Sequence, residues 1–277
     1  TTDNRYDGDV WGYNIGLDYR FTETLTAGVT MGYNDTDLTT AFNQGRYKEQ
    51  GWVISPYAIY RPLQGLAIVA EFGFGQGDID VTRNNDTVTG STDSDLWYGS
   101  LTSTYTARPV ETLPFSLTSS VAFVAARKTV EGYTESDGRF VEGTHVDTQQ
   151  INPAIEVAYE FAPTGSLIVT PFFSTELIYD FTDTINDDKA AFNIGGGVRL
   201  SDRATGLNAA LEANYLAGRS DYTEYTISGT LAYGFAISND EGRPLGFVKP
   251  FFGSQLDEYG IYRLRGGFGY SFGDLNG

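Results

Sequence analysis

A strict alternation of apolar and polar residues constrains this chain more than any other feature of its sequence. Between Trp11 and Phe21 every odd position is apolar, and every even position is Gly, Asn, Asp or Arg. Successive side chains of a β-strand point to opposite faces, so this pattern predicts a strand with one apolar face and one polar face. The pattern recurs at 25–33, 66–74, 151–161, 192–200, 207–215 and 262–272, with weaker copies near 51–60, 96–107, 115–127, 167–179, 225–235 and 247–255.

The length of these thirteen segments favours strands that cross a membrane. Soluble sandwich strands average about five or six residues, whereas a tilted membrane strand needs about 9–11. Aromatic residues lie at the segment ends, where membrane barrels carry girdles; they are Phe21, Tyr33, Tyr60, Tyr105, Tyr159, Phe161, Tyr215, Phe235 and Phe272. A large soluble barrel or β-helix also alternates, but a polar face of acids, bases and Gly suits a wet lumen better than a core. We therefore expect an all-β fold, an antiparallel transmembrane up-and-down β-barrel of 12–14 strands, as a single domain over 1–277.

Composition excludes several other classes of protein. The chain has 277 residues, no Cys and a formal net charge of −18, which argues against a nucleic-acid partner. Without Cys there is no disulfide, thiolate nucleophile or cysteine zinc site. No apolar run approaches the roughly 18 residues that a membrane helix requires. No cofactor motif is present, so we expect no cofactor.

The connections between segments predict the orientation of the barrel. Short ones, such as 22–24 and 61–65, alternate with long or acidic ones at 34–50, 80–95, 128–149, 180–189 and 217–224. Outer-membrane barrels have short periplasmic turns and longer extracellular loops, so the long connections are expected outside the cell. The acidic residues of these connections are explained by exposure of the loops to water, although a site that bridges divalent cations is an alternative. The weak candidates for such a metal site are Asp183, Asp187 and Asp188.

Strand parity predicts one strand more than the thirteen visible ones. If 22–24 is periplasmic, the first and the last visible strands run in the same direction, and a closed antiparallel barrel needs one further strand between them. The best guess is fourteen strands, with the first absent or supplied from elsewhere, unless one weak segment is miscounted. Residues 1–9 are then expected to be an outer loop or the start of a fragment, and 273–277 a periplasmic tail.

The polar face carries charged residues that are candidates for lining a lumen. Internal salt bridges that stiffen the wall are one role for them, and a transverse field that orients solutes is another. They are Asp18, Arg20, Glu71, Glu156, Glu160, Glu176, Arg199, Glu212, Arg263 and Arg265. The single His, His145, falls in the acidic connection 128–149, where a solvated loop histidine explains it better than a catalytic one. We expect no enzymatic activity and name no catalytic residue.

Two stretches resemble known outer-membrane proteins. The last segment resembles the signal that engages the outer-membrane assembly machinery, in which Arg265, Gly267, Tyr270 and Phe272 fill the polar, Gly, apolar and aromatic places. Residues 6–33, with Gly16-Leu17-Asp18-Tyr19-Arg20 before a tight turn and Gly32-Tyr33 after it, resemble the autotransporter translocator family. The likeness is strong over about 30 residues and looser over later hairpins such as 196–235.

The resemblance implies a conduit or membrane anchor, in the bacterial outer membrane, for an attached or associated surface segment. It implies contact with outer-membrane lipid and lipopolysaccharide, with the assembly machinery, and with a passenger or partner polypeptide. We expect two departures from the family: a barrel without a preceding passenger or pore-spanning helix, and a hairpin, 247–272, beyond the usual twelve strands. A standalone narrow porin, or a structural barrel within a larger envelope assembly, therefore stays open as an alternative.

Overall fold

The computed structural model of the protein describes residues 6–110, 112–182, 188–220, 222–238, 244–258 and 260–272. Within these ranges no helix is long and apolar enough to cross a bilayer. Sixteen strands are present in the described ranges. They are β1 (Tyr6–Arg20), β2 (Leu25–Thr40), β3 (Gly45–Leu63), β4 (Leu66–Arg83), β5 (Val88–Ala107), β6 (Phe115–Val130), β7 (Tyr133–Thr134), β8 (Phe140–Val141), β9 (Thr144–Tyr159), β10 (Leu167–Asp180), β11 (Ala190–Asp202), β12 (Leu207–Arg219), β13 (Tyr222–Tyr233), β14 (Phe235–Ser238), β15 (Pro244–Asp257) and β16 (Tyr262–Phe272).

The long strands follow one another in a single up-and-down order. β1 to β6 are neighbours in chain order, then come β9 to β13, and β15 pairs with β13, β14 and β16. β14 continues β13 after Gly234, and β7 pairs with β8 as a separate small hairpin. Counting β13 and β14 as one interrupted strand and setting β7 and β8 aside, the described residues contain thirteen long strands. The all-β, antiparallel, up-and-down fold expected from the alternation is confirmed.

The chain divides into two compact units, and four strands contribute to both. Unit 1 comprises 1–104, 121–151 and 180–183, and unit 2 comprises the remaining residues from 105 onward. β5, β6 and β9 contribute a part of their length to each unit, and β10 lies in unit 2 except for its last residue, Asp180. We call the end of each unit with short connections, such as 21–24, the turn end, and the opposite end the loop end.

The strands of unit 1 have the two faces that the sequence predicts. In the β1–β2 register Ile15 lies opposite Met31 and Leu17 lies opposite Val29, so these side chains share one face. Ile15 and Leu17 are both 72% exposed. A continuous exposed surface of large apolar side chains marks a face that meets lipid rather than water. We call it the apolar face, and the opposite one the polar face.

Unit 2 repeats this arrangement. The β11–β12 register sets Val198 opposite Leu211 and Ile194 opposite Tyr215 on the apolar face. Arg199, Gly197 and Gly195 alternate with these residues along β11 and therefore belong to the polar face. The apolar side chains are again exposed, Leu211 to 62%. In both units the large apolar residues therefore lie exposed on the apolar face, as expected for a protein surrounded by lipid.

Three of the expected long loops are largely strand instead, and one of them is 217–224, of which 217–219 belong to β12 and 222–224 to β13. Residues 34–40 belong to β2 and 45–50 to β3, and only 41–44 connect them. Most of 80–95 is likewise strand, with a turn at 84–87 whose Asn84, Asn85 and Asp86 have positive φ. The acidic residues misled the prediction because they pair across strands beyond the girdle position Tyr33: Asp37 lies opposite Lys48 and forms an ion pair with Arg46.

The first residues also differ from the prediction. β1 begins at Tyr6, so residues 6–9, expected to be loop, are strand paired with β2. Gly8 and Asp9 lie opposite Leu38 and Asp37, so the hairpin continues well beyond the girdle position Tyr33. Residues 1–5 and the expected tail 273–277 lie outside the described residues.

Candidate functional site on the polar face

The polar face of unit 1 carries a chain of hydrogen bonds across its strands. The Tyr98 hydroxyl donates to Oε1 of Glu71 at 2.6 Å and lies 2.6 Å from Oγ of Ser55. Because the one phenolic proton goes to the carboxylate, Ser55 donates to Tyr98. Nearer the turn end, the Tyr57 hydroxyl donates to Asp18 at 2.8 Å. Two of the predicted lumen residues are therefore acceptors for tyrosines from other strands, Glu71 for one on the adjacent strand and Asp18 for one two strands away.

Glycines make room for these tyrosine rings. A Cβ added at Gly73 would lie 2.0 Å from Cε1 of Tyr98, and one at Gly28 would lie 2.8 Å from Cζ of Tyr57. Both distances are far shorter than van der Waals contact, so the rings lie directly over bare backbone. The glycines of the polar face thus allow the tyrosines to lie flat along the wall and reach the carboxylates.

A second cluster lies towards the loop end of unit 1. Lys128 forms an ion pair with Glu49, which also accepts hydrogen bonds from Tyr47 at 2.7 Å and Ser94 at 3.2 Å. The Glu49 side chain is 12% exposed, and its charge is therefore matched by a cation and two hydroxyls. Sequence reasoning missed this cluster, although Glu49 and Ser94 have the parity of the polar face.

The connection between β6 and β9 folds back onto β4 and β5. Arg83 of β4 donates to Glu135 from Nε at 3.0 Å and from Nη2 at 2.8 Å, and its Nη2 also donates to Asp137 at 2.5 Å. Ser136 and Thr89 exchange two hydrogen bonds, from the Ser136 N–H to the Thr89 carbonyl at 2.8 Å and from the Thr89 N–H to the Ser136 hydroxyl at 3.0 Å. We call the segment 131–143 the docked hairpin.

Charge and packing hold the docked hairpin over the polar face. The Tyr133 ring covers Gly90, where an added Cβ would lie 2.4 Å from Cε2 of the ring. The hydrogen bonds from Arg83 hold the pKa of Glu135 below its ordinary value. The backbone N–H of Arg139, followed by Arg83, does the same for the pKa of Asp137. Both carboxylates are therefore charged at neutral pH, which keeps the ion pairs with Arg83 intact.

In unit 2 three predicted lumen residues take part in two ion pairs, one of them with Arg108, which the sequence analysis did not single out. Arg199 makes a bidentate pair with Glu156, at 2.7 Å for both hydrogen bonds, and its guanidinium lies 3.8 Å from the centre of the Phe172 ring. Arg108 donates to Glu160 at 2.9 Å. A guanidinium fixed by a carboxylate fork and by an aromatic ring is held in one orientation. Arg199 is therefore a fixed charge on this face.

The remaining predicted lumen residues are placed as follows. Glu176 accepts from Asn193 at 3.4 Å, and Glu212 accepts from Asn214 at 2.8 Å. Arg20 donates to the carbonyl of Glu23 at the turn that follows β1. Arg263 and Arg265 lie on β16, opposite Gln255 and Gly253 of β15. The structure therefore brings the acids of the strands together with amides, hydroxyls and arginines rather than with other acids.

A cavity lies at the turn end of unit 2. Its volume is about 660 Å³, and the charged residues that line it are Arg108, Glu156, Glu160, Arg199, Arg203 and Lys249. Hydroxyl and amide groups of Ser116, Thr170 and Asn208 complete a polar wall. Four cations face two acids here, in a chain whose net charge is −18.

The histidine and the metal candidates lie away from these clusters. His145 is exposed, and its Nε2 lies 3.8 Å from Asp147, whose pKa is lowered by a hydrogen bond from Arg127. Asp188 accepts a hydrogen bond from the Ser220 N–H, whereas Asp183 and Asp187 lie outside the described residues. Over the part of the chain that the structure describes, no group of three acids or His could hold a metal ion.

The predicted assembly signal occupies the last strand. Arg265, Gly267 and Tyr270 lie on β16, and Phe272 ends that strand. Tyr270 lies opposite Val248, and its hydroxyl donates to the Leu245 carbonyl at 3.0 Å. The signal residues are therefore part of a paired strand.

Comparison with known proteins identifies the family. The sequence model described as "Autotransporter beta-domain" matches residues 1–226. The uncharacterized YaiT proteins of Escherichia coli (strain K12) and Salmonella typhimurium (strain LT2) each align with 77% of this chain at 24% identity. The aligned region is about a quarter (23%) of the length of each YaiT protein.

Two solved structures share the fold. The β-domain of the Bordetella autotransporter BrkA aligns with a TM-score of 0.60 and 22% identity, over 77% of this chain and 86% of that one. The translocator domain of the autotransporter NalP from Neisseria meningitidis aligns with a TM-score of 0.57 and 13% identity, over 81% and 78%. The chain belongs to the autotransporter β-domain family and is an outer-membrane β-barrel that acts as translocator or anchor.

Proposed function

We propose that this barrel holds a surface segment in the bacterial outer membrane and that its polar face lines the conduit for that segment. The observation that carries the proposal is the sorting of the two faces. Large apolar side chains are exposed on one face, while the other has ion pairs and hydrogen bonds between strands, such as Arg199 with Glu156 and Tyr98 with Glu71. A closed ladder with this arrangement satisfies its backbone in lipid and leaves a polar passage.

The partners that we propose follow from the two faces and from the last strand. The apolar face suits outer-membrane lipid, and the charged strand ends beyond Tyr33 suit the lipopolysaccharide headgroups. The Arg265 to Phe272 stretch suits the assembly machinery. The passenger is a polypeptide connected to, or associated with, the barrel. The charged residues of the polar face serve to bind and orient it, and we assign them no catalytic role.

Ion conductance of the purified chain in planar lipid bilayers tests the conduit. We expect single-channel current, a changed cation-to-anion preference in Arg199→Gln, and an unchanged preference in the control Arg46→Gln, which removes a charge from the apolar side of β3. Deletion of 132–142 removes most of the docked hairpin and is expected to raise the conductance. If neither the wild-type chain nor this deletion conducts, the conduit is rejected and the anchor function alone remains.

A standalone narrow porin is the second candidate. The family match ends at residue 226, and the structure continues with β14, β15 and β16, so the last strands are not accounted for by the match. Liposome swelling with neutral sugars separates the two functions. A porin admits sugars of a few hundred daltons, whereas a conduit filled by its own surface segment excludes them.

A further inference from the structure

The cavity at the turn end of unit 2 has a charge opposite to that of the chain as a whole. Arg108 and Arg199 are matched by Glu160 and Glu156 at hydrogen-bond distance. The two other cations in the wall, Arg203 and Lys249, have no carboxylate partner among the described residues. The cavity therefore has two unmatched positive charges, although acidic residues outnumber basic ones two to one in the sequence.

The surroundings of these two cations suit an anion. Arg203 lies in the turn between β11 and β12, where its backbone N–H is fixed to the Ser166 carbonyl at 3.0 Å, and Lys249 lies on β15. Thr170 and Asn208 line the same cavity and supply neutral hydrogen-bond donors. Cations and neutral donors around a concave, partly desolvated space raise the local concentration of anions.

We propose that this cavity is a binding site for carboxylates, with Lys249 and Arg203 as the binding charges. Arg199 contributes a fixed positive wall, because Phe172 and Glu156 hold its orientation. The volume of about 660 Å³ fits a small organic acid or a few acidic residues of a polypeptide. The site goes beyond the conduit function, since it binds its ligand whether or not current flows through the barrel.

Binding measured by isothermal titration calorimetry on the purified chain in detergent tests the proposal. The probes are succinate and a tetraglutamate peptide, with tetralysine as the control of opposite charge. We expect Lys249→Gln and Arg203→Gln each to weaken binding about two- to fivefold, the range for partly exposed charge pairs. Lys189→Gln and Arg61→Gln remove the same charges outside the cavity and are expected to leave the affinity unchanged.

The outcomes separate the two sources of carboxylate and can overturn the site. Binding of succinate assigns the cavity to free organic acids, and binding of tetraglutamate alone assigns it to an acidic polypeptide segment. The proposal is overturned if neither probe binds, if tetralysine binds equally well, or if the cavity variants bind like wild type. Mobility of unheated samples in gels confirms that each variant is folded. A conduit that fails the bilayer test leaves this result unaffected.

Discussion

Substitution of Gly73 by Ala tests whether bare backbone under Tyr98 stabilises the wall of unit 1. A Cβ at this position would lie 2.0 Å from Cε1 and 2.4 Å from Cζ of the ring, whereas ordinary contact begins at 3.4 Å. The ring must therefore move away by about 1.4 Å. The same ring carries the hydroxyl that bonds to Glu71 and Ser55, so both interactions depend on the glycine.

The expected loss in the free energy of unfolding of Gly73→Ala follows from the two hydrogen bonds of the Tyr98 hydroxyl. Both are 2.6 Å long, so a shift of this size takes them beyond hydrogen-bond distance. A neutral hydrogen bond contributes about 1 kcal/mol and one to a carboxylate about 2 kcal/mol. Ser55 is 1% exposed and cannot turn to water, although Glu71 can in part. We expect Gly73→Ala to lower the free energy of unfolding by about 2–3 kcal/mol.

A double-mutant cycle measures this coupling. The free energy of unfolding in urea is followed by tryptophan fluorescence for Gly73→Ala, Tyr98→Ala and the double variant in lipid vesicles. The three atoms nearest to the added methyl group all belong to the Tyr98 ring, so Gly73→Ala is expected to cost less than about 0.5 kcal/mol in the Tyr98→Ala background. Gly99→Ala, on the neighbouring strand with only a carbonyl oxygen 3.8 Å away, is the control. Equal costs of Gly73→Ala in both backgrounds would refute the reasoning.

Two further predictions concern the docked hairpin and the apolar face. Because the pKa values of Glu135 and Asp137 are lowered, their contribution to docking is present at neutral pH and lost as the pH falls through those values. The protection factors for hydrogen exchange of the docked hairpin, corrected for the intrinsic rate at each pH, should fall in acid, and Arg83→Gln should show the same low protection already at neutral pH. Equal protection in the wild-type chain and in Arg83→Gln contradicts the anchoring of the hairpin by Arg83. Brominated lipids should quench Trp52 and Trp97 more strongly than iodide does, because both side chains have apolar-face parity. Stronger quenching by iodide would place these side chains in water.

The fold was predictable from the sequence because the alternation encodes it directly. A period of two specifies strand and face together, so residues such as Ile15 and Leu17 could be assigned to the apolar face from parity alone. Strand ends were less predictable. Asp37 and its neighbours were expected in a loop because they are charged, yet cross-strand ion pairs with Arg46 and Lys48 extend β2 and β3 beyond the girdle.

The partners of the polar face depended on information that parity does not contain. Parity predicted that Glu71 and Glu156 face the interior, but whether each meets an arginine, a tyrosine or an amide depends on the register of strands far apart in sequence. Glu49 and Lys128 are 79 residues apart and belong to strands that are not neighbours in the sheet. The long side chains of Glu49 and Lys128 reach across the strands that lie between them, and no local sequence pattern indicates this contact. We therefore expect substitutions that exchange one polar-face charge for another to alter ion preference without altering the strand order.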